Sequence, residues 1–484
     1  MDKPTLRDYQ IADLAFYMAK PRCGNFSDPG TGKTPSVCVY MWWLWSHHKV
    51  RSIWTMPKSL LKKNLDELLL FTDFKREDVV IVDSYSKAAK LKRIKTDAKV
   101  FLMGFRCFAD YWPQVLEHHP DVDCLIGDEW HLGFKSDDSQ RTQSLYAFMS
   151  VPSRRLVAMT GTIIDGRLDT ALPLIQVCEP GHYSNKFAFN VAHAIENDYG
   201  QVVAWRNHDR IAQIFRRIAI RHTFEEAYGP EAKVIVHDIC DMDPKQREAY
   251  DEFEETALLE LEDSWLDGTL PGVNQIRARQ LMEHPQEFGP PLDTIKYTGK
   301  EERLLIHLED HARTRKPLVI FAAFKAQHQR VAKICEEVGL RAAIINSDVS
   351  MSRRFAIDED FRNGEIDVIV ASAATAGVGF NWGHVDHVVF MSLDPMDSNF
   401  VQAYRRAIRG KREKPLLITI MAYRDSRVEK RIFDIVEKKS ALANAVDSTK
   451  ERIFIKPRGL DEQEVDPQPT GDLTLSVADL ISRN

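Results

Sequence analysis

Short apolar runs separated by amphipathic stretches recur over the first 180 residues and again from about residue 300. In the first part these runs are Ser52–Met56, Val79–Val82, Val100–Met103, Cys124–Ile126 and Arg155–Met159. In the second part they are Leu318–Phe321, Ala342–Ile345, Val368–Val370 and Val388–Met391. Runs of this length with helical segments between them are typical of buried strands in a parallel sheet. The pattern therefore predicts an α/β fold with two lobes.

A helical and charged segment separates these two regions. It includes Arg247–Asp267 and contains one short β-type run, Val234–His237. We predict an N-terminal lobe with a helical extension at residues 1–222, an inter-lobe helical segment at 223–298 and a C-terminal lobe at 299–455. Residues 456–484 are predicted to form a flexible tail with a short docking helix, because their Pro, Gly and acidic content is typical of a linker.

Charge and cysteine content narrow the class of protein. Lys and Arg total 65 against 71 Asp and Glu, so the net charge is -6 and any nucleic-acid surface must be a local basic strip. The seven cysteines are scattered and never form a Cys-x-x-Cys pair, which favours a reducing compartment. The apolar runs are too short to span a bilayer, and the N-terminus lacks a signal pattern. We expect a cytoplasmic protein with no membrane partner.

Residues 27–34 read SDPGTGKT, which is typical of a phosphate-binding loop. Two glycines would let backbone N–H groups approach the phosphates, Lys33 would reach the β- and γ-oxygens, and Thr34 would ligate Mg²⁺. The predicted nucleotide contacts in this loop are Pro29, Gly30, Thr31, Gly32, Lys33 and Thr34. A chance glycine turn at the start of a helix is the alternative interpretation.

An acidic pair follows the apolar run Val122–Gly127, in the order Asp128-Glu129-Trp130-His131. The carboxylate of Asp128 would emerge at the end of a strand beside the phosphate loop and hold Mg²⁺ together with Thr34. Glu129 would polarise the attacking water. The loop and the acidic pair together predict hydrolysis of a nucleoside triphosphate.

Three further residues are candidates for coupling the nucleotide to a conformational change. His131 is expected to sense the γ-phosphate or to couple the lobes. Thr160 and Thr162 follow another β-type run, and their hydroxyls are expected to bond Glu129 or His131.

A polar and basic stretch in the second half adds a candidate partner for the phosphates. Gln402, Arg406 and Arg409 are spaced by four and three residues, which predicts one helix face. A solvated basic face is the simpler interpretation. With a nucleotide site in the other lobe, we expect Arg406 and Arg409 to be arginine fingers and Gln402 to contribute to coupling.

In these motifs the chain resembles superfamily-two helicases, and most of all the Swi/Snf-type double-stranded-DNA translocases. The segments that carry the resemblance are Leu6–Gln10, Met56–Leu61, Asp128–His131, Thr160–Thr162, Arg217–Arg221, Pro244–Tyr250, Leu318–Phe321, Ser372–Asn381, Gln402–Arg409 and Glu429–Val446. The resemblance implies two RecA-like P-loop lobes with parallel sheets, helical insertions between them, and ATP with Mg²⁺ clamped between the lobes.

The resemblance also implies residue roles. Gln10 would read the adenine edge, and Gly377 would add a nucleotide contact from the second lobe. The DNA backbone would be contacted, without sequence preference, by Lys58, Ser59, Lys62, Ser372 and Thr375. A solvated helix face remains the alternative for Lys58 and Lys62. For the denser basic run Lys87–Lys99, phosphate binding and a solvated loop both remain open.

We therefore expect an ATP-dependent translocase that moves along double-stranded or branched DNA and remodels DNA or displaces proteins. Its compactness suggests a bacterial or phage source, and a phage protein would act in the host cytoplasm. A helicase that separates DNA or RNA strands is the first alternative. A nucleotide-regulated nucleic-acid clamp without hydrolysis is the second.

Overall fold

The computed structural model describes residues 3–162, 164, 166–261, 264–267, 271–376, 379–395, 397–408, 410–447 and 456–457. The chain divides into two compact units. The first unit comprises Met1–Pro230 with Lys439–Arg452, and the second comprises Glu231–Lys438 with Ile453–Asn484. The predicted tail, including the docking helix at Leu473–Ile481, lies outside the described residues apart from 456–457.

The first unit is built on a seven-stranded parallel sheet with the strand order β3-β4-β2-β5-β6-β1-β9. The strands of this unit are β1 (Arg22–Asn25), β2 (Arg51–Met56), β3 (Val79–Ile81), β4 (Val100–Gly104), β5 (Val122–Asp128), β6 (Arg155–Met159), β7 (Ala194–Glu196), β8 (Val202–Trp205) and β9 (Ala219–Ile220). Strands β7 and β8 form a separate antiparallel hairpin. All five strands predicted for this part of the chain are present.

Helices flank this sheet. They are α1 (Asp8–Ala19), α2 (Lys33–His48), α3 (Leu61–Phe71), α4 (Lys87–Ile94), α5 (Phe105–His118), α6 (Trp130–Gly133), α7 (Gln140–Met149), α8 (Leu172–Cys178), α9 (Lys186–His193), α10 (His208–Ile218) and α11 (Phe224–Tyr228). The central strands are buried along nearly their whole length, and Phe101, Leu125 and Leu156 belong to one large apolar cluster. Burial on both faces explains why these strands are continuous apolar runs.

The second unit is built on a six-stranded parallel sheet with the order β10-β17-β16-β13-β15-β14. Its strands are β10 (Lys233–Cys240), β11 (Leu258–Leu261), β12 (Ser264–Asp267), β13 (Leu318–Phe321), β14 (Ala342–Ile345), β15 (Val368–Ala371), β16 (His387–Phe390) and β17 (Leu416–Tyr423). Strands β11 and β12 form an antiparallel hairpin outside that sheet.

The helices that follow the first unit along the chain are α12 (Pro244–Thr256), α13 (Pro271–Glu283), α14 (Gly299–Thr314), α15 (Lys325–Glu337), α16 (Met351–Arg362), α17 (Ala373–Ala376), α18 (Asp397–Tyr404) and α19 (Arg427–Val446). Within the part of the chain that the structure describes, none of the helices has the length and apolarity needed to cross a bilayer.

The observed division differs from the three-part organisation that we predict from the sequence. The first boundary lies at Pro230, and the predicted inter-lobe segment contributes β10 to the second sheet. All eight residues of β10 pair with β17. Its residues alternate between more and less buried positions, so β10 is an edge strand with one covered face. The helices α12 and α13 and the β11–β12 hairpin are the insertions of this segment.

Candidate nucleotide site

The phosphate loop connects β1 to α2 and needs its two glycines for conformational reasons. Gly30 has φ 89° and Gly32 has φ 81°, in the left-handed region that favours glycine. A β-carbon on Gly32 would also lie 2.9 Å from the Gln10 side-chain nitrogen. Helix α2 begins at Lys33, and Thr34 is its second residue. The loop therefore leads into a helix N-terminus, whose backbone N–H groups favour anions.

Lys33 lies over the loop that precedes it. Its Nζ donates to the carbonyl oxygen of Ser27 at 2.7 Å and to that of Asp28 at 3.2 Å. Burial lowers the pKa of Lys33, and the charges of Glu129 and Asp128 oppose this effect. The structure thus brings the predicted lysine and the predicted acidic pair into one electrostatic group.

The acidic pair lies at the C-terminal end of β5. Asn64 donates to Asp128 Oδ2 at 2.9 Å, and the backbone N–H of Glu129 donates to Asp128 Oδ1 at 3.0 Å. Burial and the neighbouring charge of Glu129 raise the pKa of Asp128 to about 6. Glu129 has φ 49°, a left-handed conformation that is uncommon for a residue with a β-carbon and that recurs at functional sites.

These residues fit a magnesium ion. A buried carboxylate with a raised pKa is stabilised by a nearby cation, and carboxylate and hydroxyl oxygens are ligands that Mg²⁺ prefers. Among the described residues, no group of three or more His, Cys, Asp or Glu side chains is arranged to hold a metal ion by itself. Mg²⁺ in nucleotide sites needs only one or two carboxylates, since the phosphates supply further oxygens.

His131 and Thr160 are in direct contact, which is one of the contacts expected from the sequence. His131 Nδ1 lies 2.8 Å from Thr160 Oγ1 and 3.7 Å from Glu129 Oε2. The Thr160 hydroxyl donates to the carbonyl oxygen of Thr162 and accepts from its N–H. Because that hydroxyl proton is already used, His131 Nδ1 is the donor to Thr160. The same segment adjoins the phosphate loop, since a β-carbon on Gly161 would lie 2.6 Å from the Pro29 ring.

Arg221 ties the phosphate loop to two distant parts of the chain, and we do not predict this from the sequence. Its guanidinium donates to Asp28 Oδ1 at 2.9 Å and to the carbonyl oxygen of Phe26 at 2.7 Å. Its Nε lies 2.9 Å from Asp447 Oδ2. The Asp28 carboxylate also accepts from the N–H of Phe224 at 3.1 Å. Arg221 and Asp28 lie almost 200 residues apart, so no local pattern reveals the pair.

His222 makes a second connection of this kind. Its backbone N–H donates to Ser27 Oγ at 2.9 Å, and its Nε2 lies 3.1 Å from Asp13 Oδ1. The hydrogen bond with Asp13 raises the pKa of His222 against the effect of burial. The segment after β9 is therefore fixed to the phosphate loop and to α1.

The predicted adenine reader, Gln10, also touches the phosphate loop. Its Nε2 donates to the carbonyl oxygen of Gly32 at 2.8 Å, and its Oε1 accepts from the N–H of Arg7 at 2.9 Å. The neighbouring Tyr9 hydroxyl donates to the carbonyl oxygen of Thr31 at 2.6 Å. The contact of Gln10 with adenine stays a prediction.

In the second unit, the prediction of one continuous helix face is wrong for Gln402 and Arg406. Helix α18 ends at Tyr404, and the next residues form tighter turns, in which the N–H of Arg406 donates to the carbonyl oxygen of Ala403. The Arg406 carbonyl oxygen accepts from the N–H of Trp382 at 2.8 Å, so it bonds outside the helix. Gln402 and Arg406 are both buried. Arg409 and Gly377 lie outside the described residues.

The predicted DNA contacts lie at the C-terminal ends of strands. Lys58 and Ser59 follow β2, and Lys62 is exposed on α3. The Ser372 hydroxyl donates to Thr375 Oγ1 at 2.7 Å, so these two side chains bond each other in the turn that opens α17. Their contact with DNA stays a prediction.

Two protein families match the chain over most of its length. Residues 14–287, more than half of the chain, match the SNF2-related domain, and residues 299–411 match the helicase conserved C-terminal domain. The DNA repair protein rad8 of Schizosaccharomyces pombe is 31% identical over 160 residues, which are 32% of this chain and 14% of that protein. The chain spans between 14% and 28% of the length of the curated relatives that it matches.

Solved structures of helicase-type proteins are also similar. The Hef helicase domain of Pyrococcus furiosus is 14% identical, with 89% of this chain and 98% of that chain covered and a TM-score of 0.53. The SWI2/SNF2 ATPase core of Sulfolobus solfataricus, in complex with dsDNA, is 18% identical, with 93% and 94% covered and a TM-score of 0.41. The likeness to the Hef domain confirms the predicted fold of two RecA-like lobes.

Proposed function

Because this chain belongs to the SNF2-related family of ATP-hydrolysing, helicase-type enzymes, we propose that it uses ATP hydrolysis to move along duplex DNA. Movement of this kind remodels DNA or displaces bound proteins. ATP binds on the phosphate loop, and Arg406 and Arg409 act as arginine fingers. ATP binding and hydrolysis then drive the steps along DNA.

One observation carries the ATPase part of the proposal. Strands β1 and β5 both pair in parallel with β6, so the phosphate loop after β1 and the acidic pair at the end of β5 lie at the same end of the sheet. Burial lowers the pKa of Lys33, and the charges of Glu129 and Asp128 there act against this effect. A lysine on a phosphate loop beside two carboxylates at a strand end is the arrangement that phosphoryl transfer needs. A chance glycine turn would not bring this acidic pair to the lysine.

Each residue of the site has a role in this reaction. Thr34 and Asp128 would hold Mg²⁺, which stabilises negative charge on the phosphates when it is bound. Lys33 neutralises phosphate charge at the loop. Glu129 orients the attacking water and accepts its proton. His131 and Thr160 hold each other beside Glu129, so they connect the water position to the loop that follows β6.

The DNA part rests on the family and on a local basic surface. Lys58, Ser59 and Lys62 would contact the backbone from the first unit, and Ser372 and Thr375 would do so from the second. Such contacts are independent of sequence, as a translocating enzyme requires. The related rad8 is named a DNA repair protein, which supports a DNA substrate.

The decisive experiment compares the ATPase rate with duplex DNA, four-way DNA, forked DNA, single-stranded DNA and RNA. Duplex-containing DNA should stimulate hydrolysis more than single strands or RNA. Lys33→Ala is the control and should abolish turnover with every nucleic acid. Turnover retained in this variant would show that the phosphate loop is misassigned.

A second assay separates translocation from strand separation. The protein should displace a third strand from a triplex in the presence of ATP, and it should leave a tailed duplex intact. Efficient unwinding of the tailed duplex would favour the helicase alternative. ATP binding and DNA binding without any turnover would favour the clamp alternative.

A further inference from the structure

The loop between β3 and α4 presents a fully exposed aromatic ring. Tyr85 has 110% relative exposure, whereas most aromatic side chains of this unit are buried. Lys87, Lys92 and Lys95 are exposed on α4 and its C-terminal cap, and Lys90 is half-buried against the ring of Tyr111. This segment belongs to the basic run Lys87–Lys99, for which the sequence allows two interpretations, a phosphate-binding surface or a solvated loop.

Asp83 connects this loop to a predicted DNA-contact loop. Its buried carboxylate accepts from the backbone N–H of Gly104 at 2.6 Å and pairs with Lys58 Nζ at 3.0 Å. Strands β3, β4 and β2 are parallel neighbours in the sheet, so their C-terminal ends lie at the same edge. Lys58 and the loop of Tyr85 are therefore adjacent on one surface.

The loop is also fixed from the helix side. The Arg93 guanidinium donates to the carbonyl oxygens of Ile81 and Asp83, which flank the end of β3. The backbone N–H of Ala89 donates to Ser86 Oγ, which caps the N-terminus of α4. Tyr85 is thus exposed on a loop that is held at both ends, so its exposure is not the result of a loose segment.

The charge on α4 has no internal counter-charge. Residues 84–96 include five Lys or Arg side chains and no Asp or Glu. In the described part of the chain, no ion pair involves Lys87, Lys92 or Lys95, and the nearby Asp97 is paired with Arg51 and Lys99. A solvated helix face usually interleaves both signs, as Lys63 and Glu67 do on α3. An unbalanced basic helix in a chain of net charge -6 indicates a polyanionic partner.

We propose that Tyr85 and the exposed lysines of α4 form a second phosphate-contact surface, joined to the Lys58 loop through Asp83. The lysines bind successive backbone phosphates of DNA, and the Tyr85 hydroxyl donates to a phosphate oxygen. The surface holds DNA without reading its sequence. This inference rests on the proposed function, since it requires that the chain binds DNA.

The test measures duplex-DNA affinity against salt concentration for the full chain. The slope of log K against log salt is negative, and each phosphate contact that is lost should reduce its magnitude by about 0.9. The triple variant Lys87→Gln, Lys92→Gln and Lys95→Gln should therefore have a slope whose magnitude is smaller by about 2.7. When the salt concentration is raised fourfold, the factor by which its affinity falls should be about 40 times smaller than for the parent chain. Lys75→Gln is the matched control, because Lys75 is exposed but precedes β3 at the opposite edge of the sheet.

Tyr85 is tested separately by Tyr85→Phe, which keeps the ring and removes the hydroxyl. This variant should weaken binding several-fold with an unchanged salt slope, because the hydroxyl carries no charge. Parent affinity in Tyr85→Phe would overturn the hydroxyl contact. Thermal unfolding should show that all variants fold like the parent chain.

The possible failures are distinguishable. A parent chain that does not bind DNA would refute the proposed function together with this inference. A parent chain that binds DNA while the triple variant keeps its affinity and slope would overturn the inference alone. If the triple variant lost binding to poly-glutamate but kept its DNA affinity, that result would also overturn the inference and would assign the surface to an acidic protein.

Discussion

Replacing the buried Lys300 by Met should destabilise the second unit by about 3 to 5 kcal/mol, the range for a buried charge pair that loses one partner. Lys300 Nζ lies 2.9 Å from Glu283 Oε1 and 2.7 Å from Glu429 Oε1, and it donates to the carbonyl oxygen of Met391 at 2.7 Å. The exposed fractions of the three charged side chains are 1%, 1% and 7%. Helices α13, α14 and α19 and the end of β16 therefore meet at one ammonium group.

The pKa shifts show which effect dominates. Burial alone would lower the pKa of Lys300, but the charges of Glu283 and Glu429 outweigh it and raise that pKa. Burial raises the pKa of Glu429, and Lys300 opposes this rise. Without Lys300 the carboxylate of Glu429 takes up a proton more readily in the folded state. A group whose folded pKa is raised stabilises at low pH, so the deficit of Lys300→Met should shrink as the pH falls towards 5.

Native-state hydrogen exchange is the appropriate assay, since a chain of two units need not unfold in a single step. Exchange of the β13, β15 and β16 amides reports the opening free energy of the second unit. Lys325→Met is the matched control, because Lys325 pairs with Asp348 at 2.6 Å while both side chains are more than half exposed. Such a pair contributes about 0 to 1 kcal/mol.

Glu283→Gln and Glu429→Gln added to Lys300→Met should recover part of the loss. The amides keep an acceptor for Gln327 and for the N–H of Tyr423 but leave no buried charge. A loss in Lys300→Met no larger than in Lys325→Met would refute the argument from buried charge. A loss that the two Gln substitutions do not reduce would refute it as well.

Three further changes test the site and the second sheet. Arg221→Ala removes a donor to Asp28 beside the phosphate loop and should raise the KM for ATP about tenfold in steady-state assays. Arg217 is exposed and pairs with Glu179 away from the loop, so Arg217→Ala should leave the KM unchanged. Glu129→Gln should lower the hydrolysis rate at least about 100-fold while ATP binding persists in equilibrium titrations, and unchanged turnover would remove its catalytic role. Burial lowers the pKa of His387 well below 6.5. The stability of the second sheet should therefore be complete above pH 6.5 and should fall by up to about 1.4 kcal/mol per pH unit below it. Hydrogen exchange should show that this loss of stability at low pH is smaller in His387→Gln.

The strands could be predicted where both faces of the sheet are covered. Such strands as β4 and β15 are continuous apolar runs, and burial on both sides leaves no place for a polar residue. The edge strand β10 has only one covered face, so only Val234–His237 of its residues form a β-type run, and the sequence does not show that this run joins the second sheet. Strand β17 follows the rule for buried strands but is not among the predicted strands.

The site could be predicted only as far as its chemistry is local in the chain. The phosphate loop and the acidic pair are short patterns, and the structure brings them together. Helix α18 instead ends at Tyr404, and Arg406 lies in the turn that follows it. The carbonyl oxygen of Arg406 accepts from the N–H of Trp382, more than twenty residues away, which no local pattern reveals. Spacing of side chains predicts a helix face only where the backbone completes the helix.

The carbonyl oxygens of the phosphate loop explain why residues so distant in sequence surround it. Those of Gly30, Thr31 and Gly32 accept from Tyr228, Tyr9 and Gln10, side chains of α11 and α1. A peptide unit whose carbonyl oxygen is bound on one side presents its N–H to the other side, because the unit is planar and trans. The donors from α1 and α11 therefore orient the loop N–H groups before any phosphate arrives. Electrostatic stabilisation of phosphate is most effective when its donors need no reorganisation. By this argument the tyrosines and Gln10 contribute to ATP binding through the backbone of the loop, whether or not Gln10 also contacts adenine.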